Sequence, residues 1–245
     1  EVGVMRVSLG VQDFEPRVQD AINRQQSFAL TRDVIQAMRD RGIASINIDL
    51  VYGLPHQTTE SVARTIDAVL ELAPDRLAVF GYAHLPQRVK HQRLIEDAAL
   101  PGTAERLAQA IALARHIAAA GYREVGLDHY AKPGDAMAEA AVRRNFQGYT
   151  TDAADALIGL GASAISQLPQ GFAQNATSVH DYERRIAIDG LGTARGIALS
   201  VEDRIRADVI ERLMCDFTFS GPDLLARHGP AAERVIVEAA QALAE

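Results

Sequence analysis

Asp49 and Asn47 stand two residues apart in Ile46-Asn47-Ile48-Asp49-Leu50, a run that alternates polar side chains with branched apolar ones. In an extended strand successive side chains point to opposite faces, so Asn47 and Asp49 share one face and Ile46, Ile48 and Leu50 the other. An earlier run repeats the pattern, with Ser8, Gly10 and Gln12 on one face and Val7, Leu9 and Val11 on the other. Helices cover the apolar faces, so the polar faces line a lumen open to ligands. Asp49 and Gln12 fall near the C-terminal ends of their strands, where parallel α/β folds bind their ligands. A second concentration of polar and turn-forming residues lies between Gly126 and Ser166. It includes Asp128-His129-Tyr130, the run from Arg144 to Tyr149, and Gly159-Leu160-Gly161. Such density in connecting segments marks a binding surface.

The elements that carry these residues follow from hydrophobic spacing. Val4 to Val11 reads as a strand, and Ser27 to Arg41 as a helix with Leu30, Val34, Ile35 and Met38 on its apolar side, ended by Gly42. The unit repeats: a strand from Ala44 to Val51, a helix from Thr59 to Leu72 built on Val62, Ile66 and Val69, and a stop at Pro74. Arg76 to Tyr82 is a third strand. Strands separated by amphipathic helices predict parallel pairing through right-handed crossovers. Thr103 to Ala120 reads as a packing helix with Leu107, Ile111, Ala114 and Ala118 on one stripe and Gly121 behind it. Val201 to Leu213 opens a helix-rich end, and the stretch after Phe219 is expected to be too short to complete another unit. The predicted organisation is an α/β domain over 1–125, a covering extension over 126–199 and a helical region over 200–245.

Composition narrows the function classes. With 245 residues, 48% of them hydrophobic, the chain can bury a sizeable core. A formal net charge of −7 argues against nucleic acid, whose phosphates are met by basic surface. No stretch approaches the roughly 20 apolar residues of a membrane span, and the N-terminus lacks signal-peptide regions; a cytoplasmic protein is expected. Lys90 and Lys132 are the only lysines, so positive charge is almost entirely arginine, the side chain best shaped for carboxylates. Cys215 is the single cysteine. It cannot form an intrachain disulfide or hold an iron–sulfur cluster alone, and neither His84 nor His129 has metal-ligand spacing, so no metal site is expected in this chain.

Several segments resemble the oxygen-independent coproporphyrinogen III oxidases of the radical S-adenosylmethionine (SAM) superfamily. Ser8-Leu9-Gly10-Val11-Gln12-Asp13-Phe14 and Asn47-Ile48-Asp49-Leu50-Val51-Tyr52-Gly53-Leu54-Pro55 are shared with many radical-SAM proteins. Tyr82-Ala83-His84-Leu85-Pro86, Asp128-His129-Tyr130-Ala131 and the run Arg144 to Thr151 are more discriminating. The resemblance covers Val4 to about Phe219 and implies the C-terminal half of a partial (β/α)6 barrel with parallel strands, followed by an α-rich region. By the family pattern the chain begins at the fourth barrel strand. The Cys-x3-Cys-x2-Cys motif that binds a [4Fe–4S] cluster, and a glycine-rich SAM loop, would then lie outside it. The absence of Met at position 1 agrees with a partial sequence, and the isolated chain is expected to be inactive.

The resemblance implies that two propionates of coproporphyrinogen III are oxidatively decarboxylated to vinyl groups, giving protoporphyrinogen IX. Two SAM molecules and an electron donor, whose identity the sequence does not specify, take part. Residue by residue, Gln12, Arg24, Asp49 and Ala83 are expected to contact one SAM and Ile165 the other. A carboxylate suits the sulfonium and ammonium groups, and a guanidinium suits the methionine carboxylate. Asp49 could alternatively be a buried carboxylate paired with a nearby arginine. His84 and His129 could bind or protonate the substrate or serve the structure alone. Arg144 and Tyr149 could meet propionate carboxylates, or Arg144 could brace its own loop; no catalytic residue is assigned. The competing function is that of the related haem chaperone, a binding and delivery protein built on the same barrel.

Overall fold

The computed structural model describes residues 3–146 and 148–244, so Gln147 of the Arg144 to Thr151 run lies outside the described residues. Strands β1 (Arg6–Gln12), β2 (Ser45–Tyr52) and β3 (Arg76–Gly81) run parallel in that order. Parallel neighbours need crossovers long enough to return the chain. These are α1 (Pro16–Ala21) with α2 (Phe28–Arg39), then α3 (Thr59–Glu71). Local chemistry starts the helices: the Ser27 side chain accepts from the Leu30 N–H, and Thr58 and Ser61 cap α3 reciprocally.

The alternation in β2 becomes burial. Ile46 and Ile48 are fully enclosed and Leu50 nearly so, packed with Ile35, Val62, Ile66, Val69, Leu77 and Ile117 in one core cluster. Each such side chain removed from water contributes roughly 1.5–3 kcal/mol. The main sheet then departs from expectation. After α4 (Thr103–Ala119), two three-residue strands, β4 (Arg123–Val125) and β5 (His129–Ala131), join it antiparallel. The sheet order is β1-β2-β3-β5-β4. His129 is therefore part of the sheet rather than of a connecting loop.

The face of α4 is also corrected. Leu107 and Ile111, expected to pack, are 61% and 42% exposed, whereas Gln109, Leu113 and Ile117 are buried. Alanines surround the helix, so hydrophobicity alone does not single out its inner side. A buried amide with both ends hydrogen-bonded, described below, decides it. In α2 the correction is smaller: Leu30 is exposed and Thr31 takes the inner position, its hydroxyl donating to Ser27 O at 3.1 Å.

Packing divides the chain into two compact units, Glu1–Ala140 and Ala141–Glu245, the division falling inside the 126–199 stretch. The short helix α5 (Ala136–Glu139) ends the first. The second holds the hairpin β6 (Arg143–Asn145) and β7 (Gly148–Thr150). It also holds an antiparallel sheet of β8 (Ile165–Leu168), β9 (Gly171–Asn175) and β10 (Thr193–Ala198), with α6 (Val179–Asp189) between the last two. Residues beyond Phe219, expected to add too little for a unit, form α8 (Gly221–His228) and α9 (Glu233–Ala244). With α7 (Val201–Asp216) they enclose a second core of Ile205, Val209, Leu224, Ala232 and Val235. Among the described residues no helix is long and apolar enough to cross a membrane.

Candidate functional site

Register carries the polar face of β2 across the first unit's sheet. Gly10 pairs with Asp49, Asp49 with Ala78, and Ala78 with His129, so four strands contribute one row. Asn47 donates through Nδ2 to Asp49 Oδ1 at 2.6 Å and to Ser8 Oγ at 3.2 Å. Both uses take the amide's NH2 group, and Asn47 Oδ1 is buried without a hydrogen-bond partner among the described residues. Leaving an acceptor in that state costs about 1–3 kcal/mol, which a donor brought by a ligand would offset. Burial pushes the Asp49 carboxyl above its ordinary range, while the Asn47 hydrogen bond and the influence of His129 oppose that rise. Among the described residues Asp49 has no arginine partner. His129 is held by Asp128, Nδ1 to Oδ1 at 2.6 Å, and its ring meets Phe80 edge-on at 5.8 Å.

Gln12 and Arg24 converge on Gly10. Arg24 Nη2 donates to Gly10 O at 2.6 Å. A Cβ placed on Gly10 would lie 2.8 Å from Gln12 Nε2 and 3.1 Å from Arg24 Nη2, so both side-chain ends occupy the space that glycine leaves. Gln12 reaches it through an irregularity. The β1–β2 register shifts between Gly10 and Gln12, and Gln12 adopts φ +69°, a left-handed conformation that is uncommon for a residue with a Cβ. Strict alternation alone does not produce this placement.

A buried polar circuit, absent from the sequence reading, fixes the loops that carry these groups. Gln19 Nε2 donates to Asp13 O at 2.8 Å and to Gln26 O at 2.7 Å, tying down the turn that presents Arg24. Asp13, 1% exposed, accepts from the Glu15 N–H, the Thr65 hydroxyl and Gln57 Nε2 at 2.6, 3.0 and 2.5 Å. Burial raises its carboxyl above the usual range against those hydrogen bonds. Gln109 of α4 accepts from the Gly53 N–H at 2.9 Å and donates to Gln57 O at 3.0 Å. The loops following β1 and β2 are thus bolted together and to α3 and α4. Asp13 and Gln57 have no local pattern that reveals this; the available signal was Gln109, one helical step before Leu113 and Ile117.

Beyond β3, Ala83 is exposed, and its carbonyl accepts from Gln92 Nε2 at 3.0 Å. His84 bridges two groups, with Nδ1 3.1 Å from Tyr82 Oη and Nε2 3.1 Å from Asp97 Oδ1. Both ring nitrogens already have protein partners. Burial raises the Tyr82 hydroxyl above its ordinary value.

Within the second unit, Ile165 begins β8 opposite Gln174. The Arg144 guanidinium lies 4.9 Å over the Tyr149 ring, and the Tyr149 hydroxyl donates to Met214 O at 2.9 Å. Tyr149 therefore carries Arg144 on its face. Cys215 is buried in α7, and burial raises its thiol.

A sheet with three parallel strands, β1 to β3, and a row of polar side chains on one face accords with the known proteins this chain resembles. The radical SAM superfamily pattern matches residues 1–69. The chain is 51% identical over 243 residues to the oxygen-independent coproporphyrinogen III oxidase of Bradyrhizobium diazoefficiens, covering 98% of this chain and 54% of that protein. It is 48% identical over 239 residues to the enzyme of that name from Cereibacter sphaeroides, covering 96% of this chain and 53% of the relative. The solved coproporphyrinogen III oxidase of Escherichia coli, described as a radical SAM enzyme, superposes with a TM-score of 0.87 at 42% identity. That match covers 92% of this chain and 53% of the other. The chain spans about half the length of the curated relatives it matches.

Fold and sequence define a chain of the radical SAM superfamily. Within it, the chain belongs to the family of oxygen-independent coproporphyrinogen III oxidases.

Proposed function

We propose that this protein converts two propionates of coproporphyrinogen III to vinyl groups without oxygen, giving protoporphyrinogen IX, with SAM as cofactor and β1, β2 and β3 as consecutive strands of the partial (β/α)6 barrel. The observation that carries the reading is the convergence of Gln12 and Arg24 over Gly10, the register partner of Asp49. The residues fit the zwitterion. Asp49 and the unpartnered Asn47 Oδ1 form an acceptor pair for its cationic groups, and Arg24 with Gln12 forms a donor pair for its carboxylate. When bound and reductively cleaved, SAM supplies the radical that removes a hydrogen from a propionate. The protein's part is to orient and to exclude water. Asn47 fixes the rotamer of Asp49, Gln19 fixes the turn bearing Arg24, and the Asp13–Gln57–Gln109 circuit keeps the strand ends from loosening. In this reading Ala83 and Ile165 make apolar or backbone contacts with cofactor, and His84 and His129 face the substrate as groups already oriented by Asp97 and Asp128.

Family relationship favours this activity over the haem chaperone. Anaerobic reconstitution of the full-length gene product with iron and sulfide tests it. With SAM and a low-potential reductant, protoporphyrinogen IX is expected to accumulate as SAM is consumed. Unchanged coproporphyrinogen III beside stoichiometric haem binding would overturn it in favour of the chaperone.

A further inference from the structure

The second unit contains an open cavity of ≈ 720 Å³ whose lining is divided by chemistry. One part is apolar. Phe146 and Phe172 meet edge-to-face, with centroids 5.0 Å apart at 89°. Phe146 and Ile210 keep 54% and 55% of their surface exposed. The polar lining holds four guanidiniums, of Arg143, Arg144, Arg204 and Arg227, together with the carboxylates of Asp155, Asp208 and Glu211.

These arginines are not equally available. Arg227 is paired with Asp208 at 2.7 Å, which also holds His228 at 3.0 Å. Arg143 faces Glu211 at 3.5 Å, and Glu211 also accepts the Arg144 backbone N–H at 3.0 Å. The guanidinium of Arg144 instead rests on the Tyr149 ring, and Arg204 is solvent-exposed. Among the described residues neither has a carboxylate partner. One guanidinium held on an aromatic ring and a second, exposed one, neither neutralised by a carboxylate among the described residues, stand beside an aromatic and aliphatic wall and form a site for a molecule with an apolar body and several carboxylates.

We propose that this cavity is such a site, taking an amphiphilic polycarboxylate whose carboxylates meet Arg144 and Arg204 and whose body covers Phe146, Phe172 and Ile210. Resting on the function proposed above, the ligand is the tetrapyrrole, gripped through its propionates. An inorganic anion would satisfy the arginines and leave the apolar wall in water. Tyr149 is then a positioning residue, acting through Arg144.

Coproporphyrin III, the stable oxidised form, serves as the probe, with its tetramethyl ester as the uncharged comparison and inorganic phosphate as a competitor. Binding to the full-length gene product is followed by porphyrin fluorescence. Arg204→Ala and Arg144→Ala are each expected to weaken coproporphyrin binding about tenfold, as loss of a charge-assisted hydrogen bond does. Tyr149→Leu is expected to weaken it less than Arg144→Ala, and ester binding is expected to be the same in all variants. Circular dichroism confirms folding, and Arg204, being exposed, tolerates truncation. Equal coproporphyrin affinity in wild type and both arginine variants overturns the proposal, as does complete competition by millimolar phosphate or no binding by wild type. The enzymatic reading fails separately. A wild type that binds coproporphyrin through these arginines yet forms no vinyl groups keeps the cavity and loses the activity. Turnover with arginine-independent binding does the reverse.

Discussion

Arg24 donates to the carbonyl of Gly10 at 2.6 Å, and the missing side chain of that glycine is what lets the guanidinium lie beside Gln12. Gly10→Ala inserts a methyl 2.8 Å from Gln12 Nε2 and 3.1 Å from Arg24 Nη2. Both are ends of flexible side chains, so they move and the backbone stays. The expected outcome is a folded protein with a melting temperature close to wild type and SAM affinity reduced about tenfold or more. Calorimetric titration beside thermal melting checks it; loss of the fold with affinity intact in the survivors would refute the cradle.

Asp49→Asn is expected to weaken SAM binding by about 1.5–3 kcal/mol and to change its pH dependence. Because burial raises the Asp49 carboxyl above 3.8, the free wild-type protein takes up a proton there before an ordinary aspartate would. A cationic ligand binds the carboxylate, so wild-type affinity falls as pH drops through that raised value. In Asp49→Asn this component disappears. Stability has the same origin and a definite sign: the folded state holds the proton more tightly than the unfolded state. Asp49 therefore subtracts stability as pH rises from 3.8 through the raised value. Titrations and urea melts between pH 4 and pH 7 read both effects.

Arg76 and Asp135 form an enclosed pair, 12% and 10% exposed, at 2.7 Å. Burial works against the Asp135 charge, but hydrogen bonds from Arg76 and the Met137 N–H, with the Arg76 charge, hold its carboxyl below 3.8. Asp135→Ala leaves Arg76 unpaired and is expected to cost about 2–4 kcal/mol at pH 7. A depressed folded value means that the contribution is fully present above 3.8 and is lost as pH falls through the folded value. Urea denaturation at pH 7 and near pH 2.5 should show the difference between wild type and variant shrinking in acid.

What the sequence made legible was what is local. The alternation at Ile46 to Leu50 and the helical spacing of Val62, Ile66 and Val69 are short-range patterns, and burial follows them. Gln12 lay on the expected side, although a register shift and a left-handed backbone bring it there. Hidden features depended on distant partners. Asp13 meets Gln57 and Thr65, 44 and 52 residues away, and no periodicity announces such a pairing. Gln109 occupies a core position because Gly53 and Gln57 satisfy its amide, so a hydrophobic stripe through Leu107 and Ile111 pointed to the wrong side. β4 and β5, three residues each, are too short to show a strand pattern, which left His129 looking like a loop residue.

The cross-strand row of Gly10, Asp49, Ala78 and His129 constrains which changes of chain length the protein can survive. One codon inserted or deleted between Ile46 and Asp49 would rotate the acid into the space around Ile66 and Ile117 and turn an isoleucine toward the polar face. The proposed cofactor site and the core would fail in a single step. Codons gained or lost between Gln87 and Leu100, beyond the end of β3, leave every partner in that row unchanged. Natural and engineered variants of this chain should therefore differ in length between these strands, clear of Gln92 and Asp97, which hold Ala83 and His84, while β1, β2 and β3 change only by substitution.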